Sequence, residues 1–303
     1  MDADLDTLAT ALYVACDDLL AAHPEQVPPR PAAGFRPLIS DAEICTLAVM
    51  QSLLGFTSER RWVRHAHAHL LVMFPALPKQ PGYHKRLKRL TGTMTWLIRQ
   101  LRDATDVVDD DVWVADSTPV ECGRSRDTAH RSELAGYAEY GYCASHSRFF
   151  WGLRLHLVCT LHGLPVGWAV TGAKADERTV LMTILDPSPG IDPTGVTLIA
   201  DRGYYGRGFE EHLASTGITV MRPHRVQDRK PRRDERLFKP LRQVIESINQ
   251  TFKSQLDLER HGGHTIAGVA ARITQRVLAL TAVIWHNAAT GAPTRRALTA
   301  YDH

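Results

Sequence analysis

The sequence predicts an α/β fold, a mixed five-stranded sheet flanked by helices, carried behind a helical amino-terminal region. Two observations point there. The first 108 residues space their apolar side chains as helices do and carry helix-start signals. After residue 109 the pattern changes to short apolar, β-branched runs, and these alternate with helical stretches in the order β-β-β-α-β-α-β-α-α. The expected division is a helical region over 1–108, a sheet domain over 109–290 and a loose tail over 291–303.

In the amino-terminal region, Leu5, Leu8, Leu12 and Val14 open an amphipathic helix that stops near His23-Pro24. A connector with five prolines follows, from Pro24 to Pro37. Ser40-Asp-Ala-Glu43 is a capping box for a helix carrying Ile44, Leu47, Ala48, Gln51 and Leu54, and Gly55 supplies its stop. Another helix starts at Thr57 or Ser58 and runs through Arg60, Arg61, Trp62 and Arg64 toward Leu71. Two helices joined by a short glycine-containing turn are similar to a helix-turn-helix, with an ordinary αα-hairpin as the alternative. On the first reading Arg60 and Arg61 contact DNA. Of His65, His67 and His69, only the first and last share a helical face, and no carboxylate or cysteine partner is evident, so they are not read as metal ligands. Lys79 to Arg89 is a basic cluster suited to backbone phosphates, leading into a helix through Trp96, Leu97, Ile98 and Leu101.

The first strand is Val112-Trp-Val-Ala, ending at Asp116. Phe149 to Cys159 is the second, Leu161-His-Gly-Leu-Pro165 a hairpin turn, and Val166 to Thr171 the third. A helix from Ala175 to Leu185 leads to strand Val196 to Ala200, which runs into Asp201. Helix Gly206 to Ser215, strand Ile218 to Met221, a basic loop, a helix around Glu246 and a last apolar helix near Ile266 to His286 complete the order. The connection from Ser117 to Arg148 is long, and it mixes arginines with Tyr137, Tyr140 and Tyr142, a composition suited to stacking on frayed bases. Asp176 and Glu177, at a helix start, are explained by capping and the helix dipole.

A chain of 303 residues with 44% hydrophobic content can bury a substantial core. The acidic start Met1-Asp-Ala-Asp and the lack of an uninterrupted apolar run of about 20 residues point to a soluble, cytoplasmic protein with no membrane partner. Five dispersed cysteines without a Cys-x-x-Cys pair read as reduced thiols. The overall charge of +3 hides an asymmetry: Arg222 to Arg242 holds nine Lys/Arg, among them Arg232, Arg233 and Lys239, against three acids.

That basic run leads into the most informative helix. At about 100° per residue, Leu241, Val244, Ile245, Ile248, Phe252 and Leu256 fall on one side, and Arg242, Glu246, Asn249 and Lys253 share a neighbouring stripe. With Asp116 and Asp201 at strand ends, three elements supply Asp, Asp and Glu. An acid set of this kind, with no Cys or His nearby in sequence, suits Mg²⁺ or Mn²⁺ better than zinc. Two such ions would serve in-line displacement at phosphorus. Arg242 and Lys253, on the stripe of the acid, are placed for phosphates, and the glycine of Asp201-Arg-Gly-Tyr204 allows a tight turn.

At these residues the chain resembles the DDE transposases of bacterial insertion sequences. The Asp-x-Gly-Tyr segment, the Arg-x3-Glu-x6-Lys spacing from Arg242 to Lys253 and the stretch Trp151 to Pro165 carry the resemblance, over about residues 109 to 290. Lys239 stands where one common family signature has tyrosine, with Phe238 beside it. The resemblance implies a ribonuclease H-like domain with Asp116, Asp201 and Glu246 as catalytic and metal-binding triad for two Mg²⁺ ions, with Mn²⁺ as substitute. It also implies transposon-end and target DNA as partners, contacted by Arg242, Lys253, Asn249, Lys239, Arg202, Arg232, Arg233, Arg60 and Arg61, a homo-oligomer in the synaptic complex, and a place at the bacterial nucleoid. A metal-dependent nuclease of the same fold and a catalytically silent DNA-binding relative are the alternatives.

Overall fold

Strand β1, Val112–Gly123, is the axis of the sheet. It pairs antiparallel with β3, Arg148–Thr160, on one edge and parallel with the short β5, Thr197–Ala200, on the other. Strand β6, Thr219–Met221, continues the parallel edge beside β5. Strands β2, Glu139–Cys143, and β4, Pro165–Gly172, both pair antiparallel with β3, against Arg148–Gly152 and Leu153–Cys159. The computed structural model describes residues 3–29, 37–123, 125–143, 147–186, 191–224, 235–295 and 297–301.

The five expected strands all form, and β2 makes a sixth. Much of the segment expected as a long connection is structured: it prolongs β1 to Gly123, then forms helix α6, Arg126–Arg131, and β2. The cause is a period-two pattern, which puts Gly141 and Cys143 on the side buried with Phe150 and Ala173 and leaves Tyr140 and Tyr142 exposed.

Alternation along β1 sends Trp113 and Ala115 to one face and Val114 and Asp116 to the other. On the first face, Trp113, Ala115, Val158, Leu198 and Ala200 pack with Leu181, Ile184 and Leu185 of helix α7, Glu177–Leu185, and with Phe209 and Leu213 of helix α8, Arg207–Ser215. Helix α9, Glu235–Gln250, packs against β1 and β5 with Phe238, Ile245 and Ile248 buried. The expected helix through Lys253 loses its α-helical spacing after Gln250 and passes into a π turn, Thr251–Gln255, which holds Lys253.

The chain forms two compact units, Thr105–Thr251 and the combination of Met1–Ala104 with Phe252–His303. Helix α10, Ile266–Thr290, is thus grouped with the amino-terminal helices rather than with the sheet. It packs among α1 (Ala3–Ala22), α2 (Asp41–Leu53), α4 (Gln80–Arg89) and α5 (Thr91–Asp103). By length and composition α10 matches a membrane span, but 83% of its apolar window is buried, as in a core helix. Its polar residues are satisfied internally: Gln275 donates to the Ala48 carbonyl at 2.7 Å, and Arg276 to the Leu256 carbonyl at 2.6 Å. Arg272 pairs with Glu59, the first residue of helix α3, Glu59–His69.

The capping box forms as read, with Ser40 Oγ accepting from the Glu43 amide at 3.0 Å and the Glu43 carboxylate accepting from the Ser40 amide at 2.6 Å. Gly55, at φ +66°, takes the left-handed conformation that ends α2. Ser58 caps α3, on which Arg60 and Arg61 are exposed while Trp62 and Ala66 are buried. Two expectations are corrected. Arg86, counted in a phosphate-facing cluster, is buried against Asp41 and the Ile39 carbonyl because its helix turns it into the core. Within the expected tail, the described residues 297–301 are anchored: Ala297, Leu298 and Tyr301 are buried, and the Tyr301 hydroxyl donates to Asn287 Oδ1 at 3.3 Å, an anchor that composition concealed.

Candidate active site

Parallel pairing of Ala115 with Ala200 makes Asp116 and Asp201 the next residues of two neighbouring strands. Asp116 is not at the end of its own strand, since β1 continues to Gly123 paired with β3. The end that matters belongs to β5, whose stop at Ala200 opens the space beside Asp116. This retains the crevice at the carboxyl ends of parallel strands while fixing the first acid within the sheet.

Local hydrogen bonds orient both carboxylates. The Ser117 amide donates to Asp116 Oδ1 at 2.7 Å, and Asn249 Nδ2 of α9 donates to Asp116 Oδ2 at 2.8 Å. Asp201 Oδ1 accepts from the Gly203 amide at 2.6 Å. A Cβ at Gly203 would stand 2.9 Å from Asp201 Oδ1, so the glycine of Asp-x-Gly-Tyr serves close approach to the acid. Tyr204 is 1% exposed, inside the core beneath the site. Burial pushes its phenol well above the ordinary range, and the carboxylates of Glu177, Asp116 and Asp201 push the same way against Arg154.

A second polar cluster adjoins the first through Ser117. Arg154 Nη1 donates to Ser117 Oγ at 2.9 Å and to Glu177 Oε1 at 2.5 Å, and Ser117 Oγ donates to Glu177 Oε1 at 2.6 Å. Asp176 caps α7 as expected, accepting from the Arg178 and Thr179 amides, and the hydrogen bond from Arg178 holds its carboxyl down at about 2. Glu177 does more than favour the helix dipole, because it reaches β1 and β3. Arg154, a charge inside the largely apolar run Phe149 to Cys159, hints at a buried polar contact without pointing to Ser117 or Glu177.

Glu246 is exposed, one helical turn before Asn249 on α9. Asn249, expected among the DNA-contacting residues, is 8% exposed and engaged with Asp116, so it faces the acid site rather than solvent. Arg202 is exposed beside Asp201, and Lys253 is half-buried. Arg232 and Arg233, and the side chains of Lys239 and Arg242, lie outside the described residues.

Among the described residues no three His, Cys, Asp or Glu side chains stand close enough together to enclose a metal ion. The donor chemistry nonetheless suits a hard divalent cation, with carboxylates from Asp116 in β1 and from Asp201 just past the end of β5; beside them the buried Asn249 Oδ1 has no hydrogen-bond partner among the described residues.

Fold and site together define an α/β domain with an acidic centre where its parallel strands end. A family model for the transposase DDE domain matches residues 108–282, more than half of the chain. The chain belongs to that family, a ribonuclease H-like transposase of a mobile element, with DNA as substrate. No curated protein and no solved structure matches it.

Proposed function

We propose that this transposase cleaves DNA at the ends of its element and joins the freed 3′-hydroxyl to target DNA, with Asp116, Asp201 and Glu246 as the catalytic acids. The observation that carries the reading is that Asp116 and Asp201 each follow the paired Ala115 and Ala200, together with the hydrogen bond to Asp116 from the helix bearing Glu246. The three acids would hold two Mg²⁺ ions, or Mn²⁺, which supply an activated attacking oxygen and a stabilised leaving oxygen. The residues around them prepare the site: the Ser117 amide and Asn249 fix the direction of the Asp116 carboxylate, and Gly203 that of Asp201. Exposed Arg202 would hold a phosphate beside the acids, and Arg242, Lys239, Lys253, Arg232 and Arg233 would supply further DNA contacts. Arg60 and Arg61 of α3 serve end recognition, a synaptic homo-oligomer brings two ends together, and the protein works at the bacterial nucleoid.

The test is incubation of the protein with labelled element ends, a target plasmid and Mg²⁺. Wild type should give nicked and joined products, and Asp116→Asn should lose both while retaining end binding. Nicking by Asp116→Asn at the wild-type rate would refute the assignment, and cleavage without joining would make the protein a nuclease.

A further inference from the structure

Asn249 shares the stripe of Glu246, yet it is buried and its amide nitrogen meets Asp116. Only the NH₂ end of an amide can donate to a carboxylate, so the chemistry fixes which way the group points. Its Oδ1 is then left facing away from Asp116, buried and without a hydrogen-bond partner among the described residues. A buried acceptor without a donor is costly, so the amide is held here for what its NH₂ end does. The bond also spans elements. Asn249 and Glu246 are three residues apart on α9, on one face and about 4.5 Å apart along its axis, so a tie from Asn249 to Asp116 sets the height of Glu246 against the first acid.

We infer that Asn249 is a positioning residue for the metal centre: its NH₂ group locks the Asp116 carboxylate and the register of α9. This rests on the triad reading of the preceding subsection. It separates Asn249 from the DNA-contacting residues, since a group aimed at Asp116 is withdrawn from the phosphates. Partners of this kind, which orient a metal ligand without being one, typically change metal affinity by about 10- to 100-fold when removed.

The experiment uses the full-length protein with Mn²⁺ as probe, its affinity measured by the loss of the free-ion electron paramagnetic resonance signal. Asn249→Leu keeps the volume and removes both polar ends, and Asn249→Ala carries the same measurement should the leucine variant not fold. Mn²⁺ binding should weaken about 10- to 100-fold, while the log-log salt slope of binding to element-end DNA stays at the wild-type value. Mn²⁺ affinity within twofold of wild type would overturn the inference, as would a salt slope reduced by about 0.9, the mark of a lost phosphate contact. Asp116→Asn is the control for the underlying reading. If it binds Mn²⁺ as tightly as wild type, the triad itself is wrong, whereas a silent Asn249 variant beside a defective Asp116→Asn removes only the positioning role.

Discussion

His156 should make the stability of this protein fall in weak acid. It lies on β3, 2% exposed, with Nε2 at 2.8 Å from Thr171 Oγ1 and with no hydrogen-bond partner at Nδ1 among the described residues. Burial first, and then the positive Arg154, pull its pKa from 6.5 down to about 4. The unfolded chain takes up a proton at this residue near pH 6.5, and the native ring accepts one only near 4. Lowering the pH between those values therefore favours the unfolded state, and stability from this group is constant above the window and fully lost below it. At about 1.4 kcal/mol per pH unit across that window, the loss comes to about 3 kcal/mol. Urea unfolding of wild type and His156→Gln at pH 7.5, 5.5 and 4.5 isolates the effect, because the carboxylates common to both proteins cancel in the difference. The stability gap between them should move toward the glutamine variant by about 1 kcal/mol at pH 5.5 and by more than 2 at pH 4.5. A gap constant within about 0.5 kcal/mol across the series would show that the native ring titrates normally.

Three further substitutions probe other parts. Gly203→Ala places a Cβ at 2.9 Å from Asp201 Oδ1, so the carboxylate must turn away; DNA cleavage should fall about tenfold or more with little change in thermal midpoint, and full activity would refute the close-approach argument. Glu59→Leu strands the buried Arg272 and removes the acceptor for Gln80 at 3.0 Å and His84 at 2.9 Å. It should cost about 3 kcal/mol in urea unfolding, and a loss below about 1 would mean that Arg272 finds another partner. Ser40→Ala deletes the side-chain half of the capping box, in which Ser40 Oγ accepts from the Glu43 amide, and should cost about 1 kcal/mol by the same measurement.

The parts of this structure that were legible in the sequence are those set by local chemistry. A capping box, a glycine that ends α2 and the aspartate that caps α7 each act within a few residues, so spacing alone identifies them. The two aspartates were legible because apolar runs stop at them, although β1 runs on past Asp116 along its edge with β3, which no local signal marks. Asn249 illustrates the limit of a helical wheel. Its angle places it off the apolar direction, and its burial comes instead from an acid supplied 133 residues earlier in the chain. The cluster of Arg154, Ser117 and Glu177 was hidden for the same reason, with members 37 and 60 residues apart that only strand pairing brings together. Composition likewise concealed that α10 belongs to the core of the amino-terminal helices, since an apolar helix reads alike wherever it is buried.

Ser117 explains why the first acid is held on both sides. Its amide fixes Asp116 Oδ1, and its hydroxyl joins Arg154 of β3 to Glu177 of α7, so the residue next to the acid is tied to the helix on one face of the sheet. On the opposite face Asn249 ties Asp116 Oδ2 to α9. A carboxylate in the middle of a paired strand, restrained from two helices, loses little further freedom when a ligand binds. The arrangement also separates two kinds of failure. Loosening α9 should displace Glu246 relative to Asp116, whereas loosening the Ser117 cluster should turn Asp116 within a frame that otherwise stands. Arg154, 14% exposed at its side chain, is the cation that sits among Glu177, Ser117 and the buried Tyr204, so replacing it removes charge balance and orientation together. Its loss therefore bears on the acid site even though Arg154 is bonded to neither aspartate, since the same Ser117 that it holds supplies the amide for Asp116.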